Sequence, residues 1–333
     1  MNQKPGQREC PECKSEFSRR DFLASAAGAA GVAVAASALP LILPKGRAWG
    51  APTPKSDAES AVRRLFDSLT DEQRKTVVLS LDDSRRQNIS ANWHITEASV
   101  GSFSEEQQKI IDEVLKGATS EDGYERIKRQ MADDDAPGLS KYSVAIFGSP
   151  HEEQFLFELT GRHCTLRADG DSIPGAAFGG PIVYGHGARG NSTGNLFVYQ
   201  TKQANELFAA LDGKQREKAL LESPPGENAV QLRKEGEARP GITAEDLSED
   251  QRELVTKTIR AILQPYRQED VDEVMEVIEA GGGLGSLNMA FYKGGDLDED
   301  GEWDIWRVEG PTFVSHFRGA PHVHAYLNVA RRS

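Results

Sequence analysis

Seven histidines occur in the 333-residue chain, and three of them lie close together near its end. His322 and His324 form an H-x-H pair that follows His316. Because alternate residues of a β-strand share a face, a strand here would point both imidazoles of the pair to one side, as two ligands of one ion require. Imidazole nitrogens suit copper, zinc or iron, whereas harder ions prefer carboxylates. The pair therefore indicates a mononuclear transition-metal site.

His163 is the candidate for a third ligand. It stands in the segment Gly161-Arg162-His163-Cys164, just past a predicted strand. Three imidazoles would leave a fourth coordination position open for water or substrate. The alternative interpretation is that these histidines only end strands and form hydrogen bonds, and the residue types alone leave both interpretations open.

Other residues of the same chemical types give weaker signals. Cys164 follows His163, but neighbouring residues of a strand face opposite ways, so a small buried residue is favoured over a thiolate ligand. His186 lies between two glycines and either lines a cleft or is solvated. Cys10 and Cys13 form a C-x-x-C, which could be half of a zinc knuckle, but the chain has no second pair.

The acidic segment from Asp296 to Gly301 reads D-x-D-x-D-G, like the start of a calcium-binding loop. The twelfth position of that pattern is Arg307, where a bidentate glutamate belongs, and the segment lies between predicted strands rather than helices. A solvated acidic hairpin is therefore favoured, with a weak calcium site as the alternative.

Four segments carry the same helix-start signal, in which an apolar residue precedes a capping side chain and glutamine follows three positions after the cap. This capping box predicts helices that begin after Thr70, Ser104, Asp212 and Ser248. The glutamines recur at a nearly constant distance, with Gln73 to Gln215 spanning 215 − 73 = 142 positions and Gln107 to Gln251 spanning 251 − 107 = 144. The spacing indicates a diverged internal duplication.

Strand-like runs keep the same order and nearly the same offset. Val144–Phe147 matches Met289–Tyr292 at 289 − 144 = 145, and Phe155–Gly161 matches Asp304–Gly310 at 304 − 155 = 149. The pattern predicts an α+β protein of two related units, residues 51–200 and 201–333, each with helices first and antiparallel β-hairpins second. Packing of the two units about a pseudo-two-fold axis would bring His163 to the H-x-H pair.

The first 50 residues have the layout of an export signal. Arg19 and Arg20 precede an uncharged apolar stretch from Leu23 to Leu43, and Lys45, Arg47 and the short exit segment Ala48-Trp49-Gly50 follow. This layout predicts export of the folded protein by the twin-arginine translocase, with cleavage near Gly50 and release into the periplasm or outside the cell. If the segment is not cleaved, it would tether the protein to the membrane.

The charge of the remaining chain excludes two classes of partner. The whole chain holds 39 basic and 52 acidic residues. The first 50 residues contain 7 and 4 of these, which leaves 32 against 48 and a net charge of −16. Such a surface repels nucleic acid and anionic lipid, so neither is an expected partner.

Four short segments together identify a family resemblance. They are Phe147-Gly148-Ser149-Pro150, Gly161-Arg162-His163-Cys164-Thr165-Leu166, Gly310-Pro311-Thr312-Phe313 and His322-Val323-His324. In these segments the chain resembles the domain-of-unknown-function 3500 family of exported bacterial proteins, and the helix-start segment Leu211 to Gln215 fits too. Because members have no settled activity, the resemblance implies architecture more than function.

The resemblance also bears on the candidate ligands. The family pattern has a pair of histidines after a glycine, and here the pair is Arg162 and His163, so only the second histidine is kept. This implies a role for His163 and, through the H-x-H, for His322 and His324. Where the family tends to an acidic residue after Gly-Pro-x-Phe, this chain has His316, and the resemblance implies it as a fourth ligand.

These observations predict an exported protein that binds one metal ion through a histidine cluster, with a metal-dependent enzyme as the first hypothesis for its activity. A non-catalytic binder of metal or of a small ligand is the first alternative. A structural or partner-binding protein without metal is the second. The sequence identifies neither substrate nor reaction.

Overall fold

The computed structural model describes residues 50–331, which fall within one compact unit. This part of the chain forms eight α-helices and eleven β-strands. The helices are α1 Asp57–Ser68, α2 Asp71–Val77, α3 Glu105–Gly117, α4 Glu121–Asp134, α5 Val198–Ala210, α6 Gly213–Ala219, α7 Glu249–Leu263 and α8 Gln268–Ala280. The strands are β1 Val78–Leu79, β2 Ser143–Gly148, β3 Phe155–Gly161, β4 Cys164–Ala168, β5 Ile182–Arg189, β6 Leu220–Leu221, β7 Ile242–Thr243, β8 Asn288–Tyr292, β9 Ile305–Glu309, β10 Phe313–Arg318 and β11 His322–Val329.

All eleven strands belong to one sheet. Its order is β1-β2-β3-β4-β5-β11-β10-β9-β8-β6, and β7 pairs with β8 beside this path. Neighbouring strands run antiparallel except in the pairs β1–β2 and β6–β8, which are parallel. The predicted mixture of helices with a largely antiparallel sheet is confirmed.

The four predicted capping boxes all form. The side chains of Thr70, Ser104, Asp212 and Ser248 each accept a hydrogen bond from the backbone N–H three residues later, and the glutamine there returns one. The box glutamines also bond to each other in two pairs, Gln73 with Gln107 at 2.9 Å and Gln215 with Gln251 at 3.0 Å. The boxes therefore fix how successive helices meet, besides starting them.

The two faces of the sheet have different surroundings, and this decides where the histidines point. In β11 the alternate residues Val323, Ala325 and Leu327 lie in the large apolar core with the helices. The intervening side chains face the opposite side of the strand, where Tyr326 packs with Val230. His322 and His324 therefore point away from the helix-side core.

The division at residue 200 falls inside helix α5, which runs without a break from Val198 to Ala210. The strands of the two predicted units form the two halves of the same sheet and meet where β5 pairs with β11. The division into two related units stays a prediction.

Within residues 50–331, no helix combines the length and the apolar character that a membrane span requires. The twin arginine, the apolar stretch and the C-x-x-C predicted from the sequence lie outside the residues that the structure describes.

Candidate metal centre

A two-residue turn between β3 and β4 positions the first histidine. Gly161 pairs with Cys164 across this hairpin, so Arg162 and His163 form its tip. His163 adopts a left-handed backbone conformation with φ of 56°, and its N–H donates a 2.6 Å hydrogen bond to the carbonyl oxygen of Ala91. These constraints hold the imidazole in a buried position against the centre of the sheet.

The H-x-H pair lies at the beginning of β11, next to β5. His324 is opposite Gly185, and the pairing register shifts between His322 and Val323. The Nε2 atoms of His322 and His324 are 3.0 Å apart, so the two rings do share a side as predicted.

The three histidines converge on one point. One ligand atom from each of His163, His322 and His324 can be chosen so that all three lie within 4.8 Å of one another. The ring centroid of His163 is 5.1 Å from that of His322 and 4.8 Å from that of His324. Since metal–nitrogen bonds are about 2.0–2.1 Å, nitrogens on one tetrahedral ion lie roughly 3.3 Å apart. Small side-chain movements would bring all three to one ion.

Two carboxylates support the imidazoles from behind. Nδ1 of His163 is 2.7 Å from Oδ2 of Asp134, the last residue of α4. Nδ1 of His324 is 3.1 Å from Oε1 of Glu227, which also accepts a 2.9 Å hydrogen bond from the Tyr326 hydroxyl. Metal-binding histidines commonly donate their second ring N–H to a carboxylate, which fixes the ring and leaves Nε2 for the ion. The donor set therefore fits a metal ligand set.

Two glycines of β5 make room for this arrangement. A Cβ atom at Gly185 would lie 3.3 Å from Cβ of His163, and one at Gly187 would lie 2.6 Å from Oδ1 of Asp134. The N–H of Gly187 instead donates a 2.8 Å hydrogen bond to that oxygen. The glycines on either side of His186 thus let the turn and the end of α4 approach the strand.

Burial keeps the histidines neutral. Desolvation is the largest cause that lowers the pKa of His163, and it lowers the pKa of His324 well below its ordinary value. Burial and the neighbouring His324 lower the pKa of His322 to about 2. Burial would raise the pKa of Asp134, but its hydrogen bond to His163 brings it below the ordinary value. Neutral imidazoles beside an ionised carboxylate are the form in which histidines bind metals.

His316 is not a member of the convergent group. It lies in β10 opposite Arg307 on one side and Tyr326 on the other, and it is buried. Burial and the charges of Arg307 and Arg318 lower its pKa to about 3. The convergent ligand set therefore consists of the other three histidines, and a ligand role for His316 stays a prediction.

Because His316 is buried and neutral, we expect it to lower the free energy of unfolding in acid. Its pKa in the folded protein is about 3, below the unfolded value of about 6.5, so acid favours unfolding between these values. Between pH 7 and pH 5 the free energy of unfolding should fall by about 2 kcal/mol more in the metal-free wild type than in His316→Gln. Urea titrations at both pH values measure this difference.

The comparison with a variant is needed because other buried groups titrate in the opposite direction. Burial raises the pKa of Asp169, Asp270 and Asp304 to about 7 each and that of Glu273 to about 9. These carboxyls are present in both proteins, so their contribution cancels. Parallel pH profiles for the wild type and His316→Gln would contradict the prediction.

The other candidate residues lie outside the triad. Cys164 is buried, as predicted, and burial raises the pKa of its thiol to about 12. His186 is buried too and lies in the wall of a cleft. In the acidic hairpin Asp298 is bound to Arg189 and Asn191. Among residues 50–331, the only group of three or more potential metal ligands is the histidine triad.

Sequence reasoning missed the two supporting carboxylates. Asp134 carries one available signal, because Asp133, Asp134 and Asp135 lie at the C-terminal end of α4, where the helix dipole disfavours negative charge. Acidic residues at such a position indicate a second function. Glu227 lies in the segment between β6 and β7, and nothing in its surrounding sequence points to His324.

The described part of the chain is thus a domain of mixed helix and sheet with a buried triad of histidines. This chain belongs to the family described as protein of unknown function (DUF3500), which it matches over residues 51–329. No curated protein matches the chain, and no solved structure matches it.

The export signal is confirmed by a second match. Residues 11–43 are similar to the twin-arginine signal of the ubiquitinol–cytochrome c reductase Fe–S subunit. The twin-arginine translocase therefore handles this protein, which is exported to the periplasm or beyond.

Proposed function

We propose that this exported protein binds one transition-metal ion through His163, His322 and His324. The single observation that carries the proposal is the convergence of three buried imidazoles, with ligand atoms within 4.8 Å, two of them backed by a carboxylate. Nε2 of His322 lies 3.0 Å from Nε2 of His324, and one ion could accept a nitrogen lone pair from each of the three rings. Copper, zinc and iron suit this donor set.

The test is the metal content of the protein purified from its native compartment. Elemental analysis should find one copper, zinc or iron ion per chain, and dialysis against a chelator should remove it. A protein that leaves the cell correctly folded without any of these metals would refute the proposal. Purification from the native compartment matters because imidazole sites accept several metals according to availability.

A metal-dependent enzyme is the function that this ligand set supports best. Three protein ligands leave a fourth position for water or substrate, which is the usual composition of catalytic rather than structural zinc sites. A metal bound there would polarise a substrate or lower the pKa of a bound water. His322 supports this interpretation because it is the least buried of the three, with 8% of its surface exposed, and so it marks the side from which a ligand would enter.

A non-catalytic binder is the rival, and the near-complete burial of His163 and His324 favours it. The two functions differ in the fourth position. Azide added to the cobalt-substituted protein should change its visible absorption spectrum if that position exchanges ligands. An unchanged spectrum at saturating azide would indicate a closed site and a binding function.

The supporting carboxylates give a matched pair of variants. Asp134→Asn and Glu227→Gln keep the size of each side chain but remove the charge that orients the imidazole. Each should weaken metal binding about 10- to 100-fold, as loss of a second-sphere partner commonly does. Competition with a chelator of known affinity measures the change. Asp112→Asn, which alters a carboxylate bound to Tyr124 and Lys128, is the control and should bind metal normally.

We also propose that the two halves of the sheet arose by duplication. Their pairing registers support this: Val78 pairs with Ile146, and Leu220 pairs with Phe291. The offsets are 220 − 78 = 142 and 291 − 146 = 145, which equal the offset of the first pair of capping boxes and that of the first pair of strand-like runs. On this proposal Thr312 is the counterpart of His163, so the metal site belongs to one half only.

A further inference from the structure

A cleft adjoins the metal centre. It has a volume of about 490 Å³, which is the size of a pocket for a small molecule. Its lining residues are Asp133, Asp134, Arg162, His186, Gly187, Ala188 and Gly194. Arg162 precedes His163 in the chain, and Asp134 is bonded to His163. The cleft therefore shares a wall with the triad.

Arg162 is the residue of this cleft whose guanidinium makes no direct contact with a carboxylate among the described residues. Its carbonyl oxygen is fixed by hydrogen bonds from the Tyr142 hydroxyl at 2.6 Å and from Gln130 at 3.0 Å. Its guanidinium forms no ion pair or hydrogen bond with any residue from 50 to 331, and Nε is buried without a partner. A partly buried guanidinium left unpaired is costly, whereas one that meets a carboxylate forms strong, directional hydrogen bonds.

The carboxylates of the cleft do not fill this role. Asp134 is engaged by His163, Gln130 and the N–H of Gly187. Oδ2 of Asp133 lies 3.4 Å from Nε of Arg129 and 3.4 Å from Nε2 of His186. Both acids are therefore directed to other groups.

His186 offers a second donor to the same space. Its Nδ1 accepts a 3.2 Å hydrogen bond from the N–H of Leu196, so in the neutral ring the proton is on Nε2. That Nε2–H points toward Asp133 across a long 3.4 Å contact. A ligand oxygen could replace this weak contact with a shorter one.

We propose that this cleft binds a small molecule that carries one carboxylate, with the Arg162 guanidinium as its anchor and His186 Nε2–H as a second donor. The ligand would then lie beside the metal centre. Its part in catalysis rests on the proposed function, whereas its binding to the cleft does not. A single carboxylate fits better than a phosphate dianion because Asp133 and Asp134 also line the cleft, and their repulsion increases with the charge of the ligand.

The experiment uses acetate as probe and the mature protein in two forms, metal-loaded and chelator-treated. Saturation-transfer NMR titrations measure its dissociation constant. Arg162→Gln should weaken acetate binding about tenfold or more, which corresponds to loss of charge-assisted hydrogen bonds. Arg162→Lys should recover part of the loss, because a lysine keeps the charge but cannot bind in a bidentate manner. Arg64→Gln, a change of the same charge at an exposed residue of α1, is the control.

The outcomes separate this inference from the metal proposal. If acetate binds and only the Arg162 variants weaken its binding, the result supports the cleft as a carboxylate-binding site, whether or not the protein holds a metal. If acetate binds equally to the wild type, Arg162→Gln and Arg64→Gln, the inference is wrong even when the metal content is one ion per chain. Failure of acetate to bind the wild type at about 50 mM, roughly 50 times the concentration that half-saturates a site with a Kd of about 1 mM, also overturns it.

Discussion

Replacing His324 with alanine should remove the metal from the protein and leave its fold in place. His324 is fully buried, and in the proposed site it supplies one of three ligands. Two remaining imidazoles hold an ion far less tightly, so the metal content should fall from about one ion per chain to less than about a tenth. His322→Ala should have the same effect, since its Nε2 lies 3.0 Å from that of His324.

The fold should survive because the partners of His324 remain satisfied. After its removal Glu227 still accepts from Tyr326 and pairs with Arg318. Far-ultraviolet circular dichroism should therefore show nearly unchanged helix content. His151→Ala is the control, because His151 is half exposed and bonded to Asp67, and it should keep its metal. Full metal content in folded His324→Ala would remove this histidine from the ligand set.

The second large effect concerns export. Changing Arg19 and Arg20 to lysine together should leave the precursor in the cytoplasm, because the twin-arginine route reads both guanidinium groups and lysine lacks their planar geometry. Cell fractionation with immunoblotting should then find little or no protein outside the cytoplasm. The result would connect the signal at residues 11–43 to the location of the folded domain.

A matched substitution controls for the loss of arginine as such. Arg8→Lys changes the same residue type upstream of the signal and should leave export intact. The prediction is contradicted if the double variant is exported as efficiently as Arg8→Lys.

The sequence predicted those features that depend on neighbouring residues. Capping boxes are decided within four positions, so the starts at Thr70, Ser104, Asp212 and Ser248 could be read directly. The alternation in H-x-H likewise fixed the common direction of His322 and His324, since the period of a strand is two residues. His163 was added from the alignment of the strand-like runs in the two halves and from the family resemblance.

What the sequence could not predict depends on contacts between distant segments. Glu227 reaches His324 from a long connecting segment, and Asp134 reaches His163 from the end of a helix. The sequence also could not show where His316 lies relative to the triad, because that position depends on which strands are neighbours, and its role as a fourth ligand stays a prediction. The pairing of β10 with β9 and β11 directs it toward Arg307 and Tyr326.

The most direct test of the metal centre is an anomalous diffraction map of the native protein, collected at the absorption edge of the metal that elemental analysis identifies. We predict one strong peak per chain, about 2.0–2.2 Å from a ring nitrogen of each of His163, His322 and His324. A map with no peak between these three residues, or with its only peak at another site, would contradict the account.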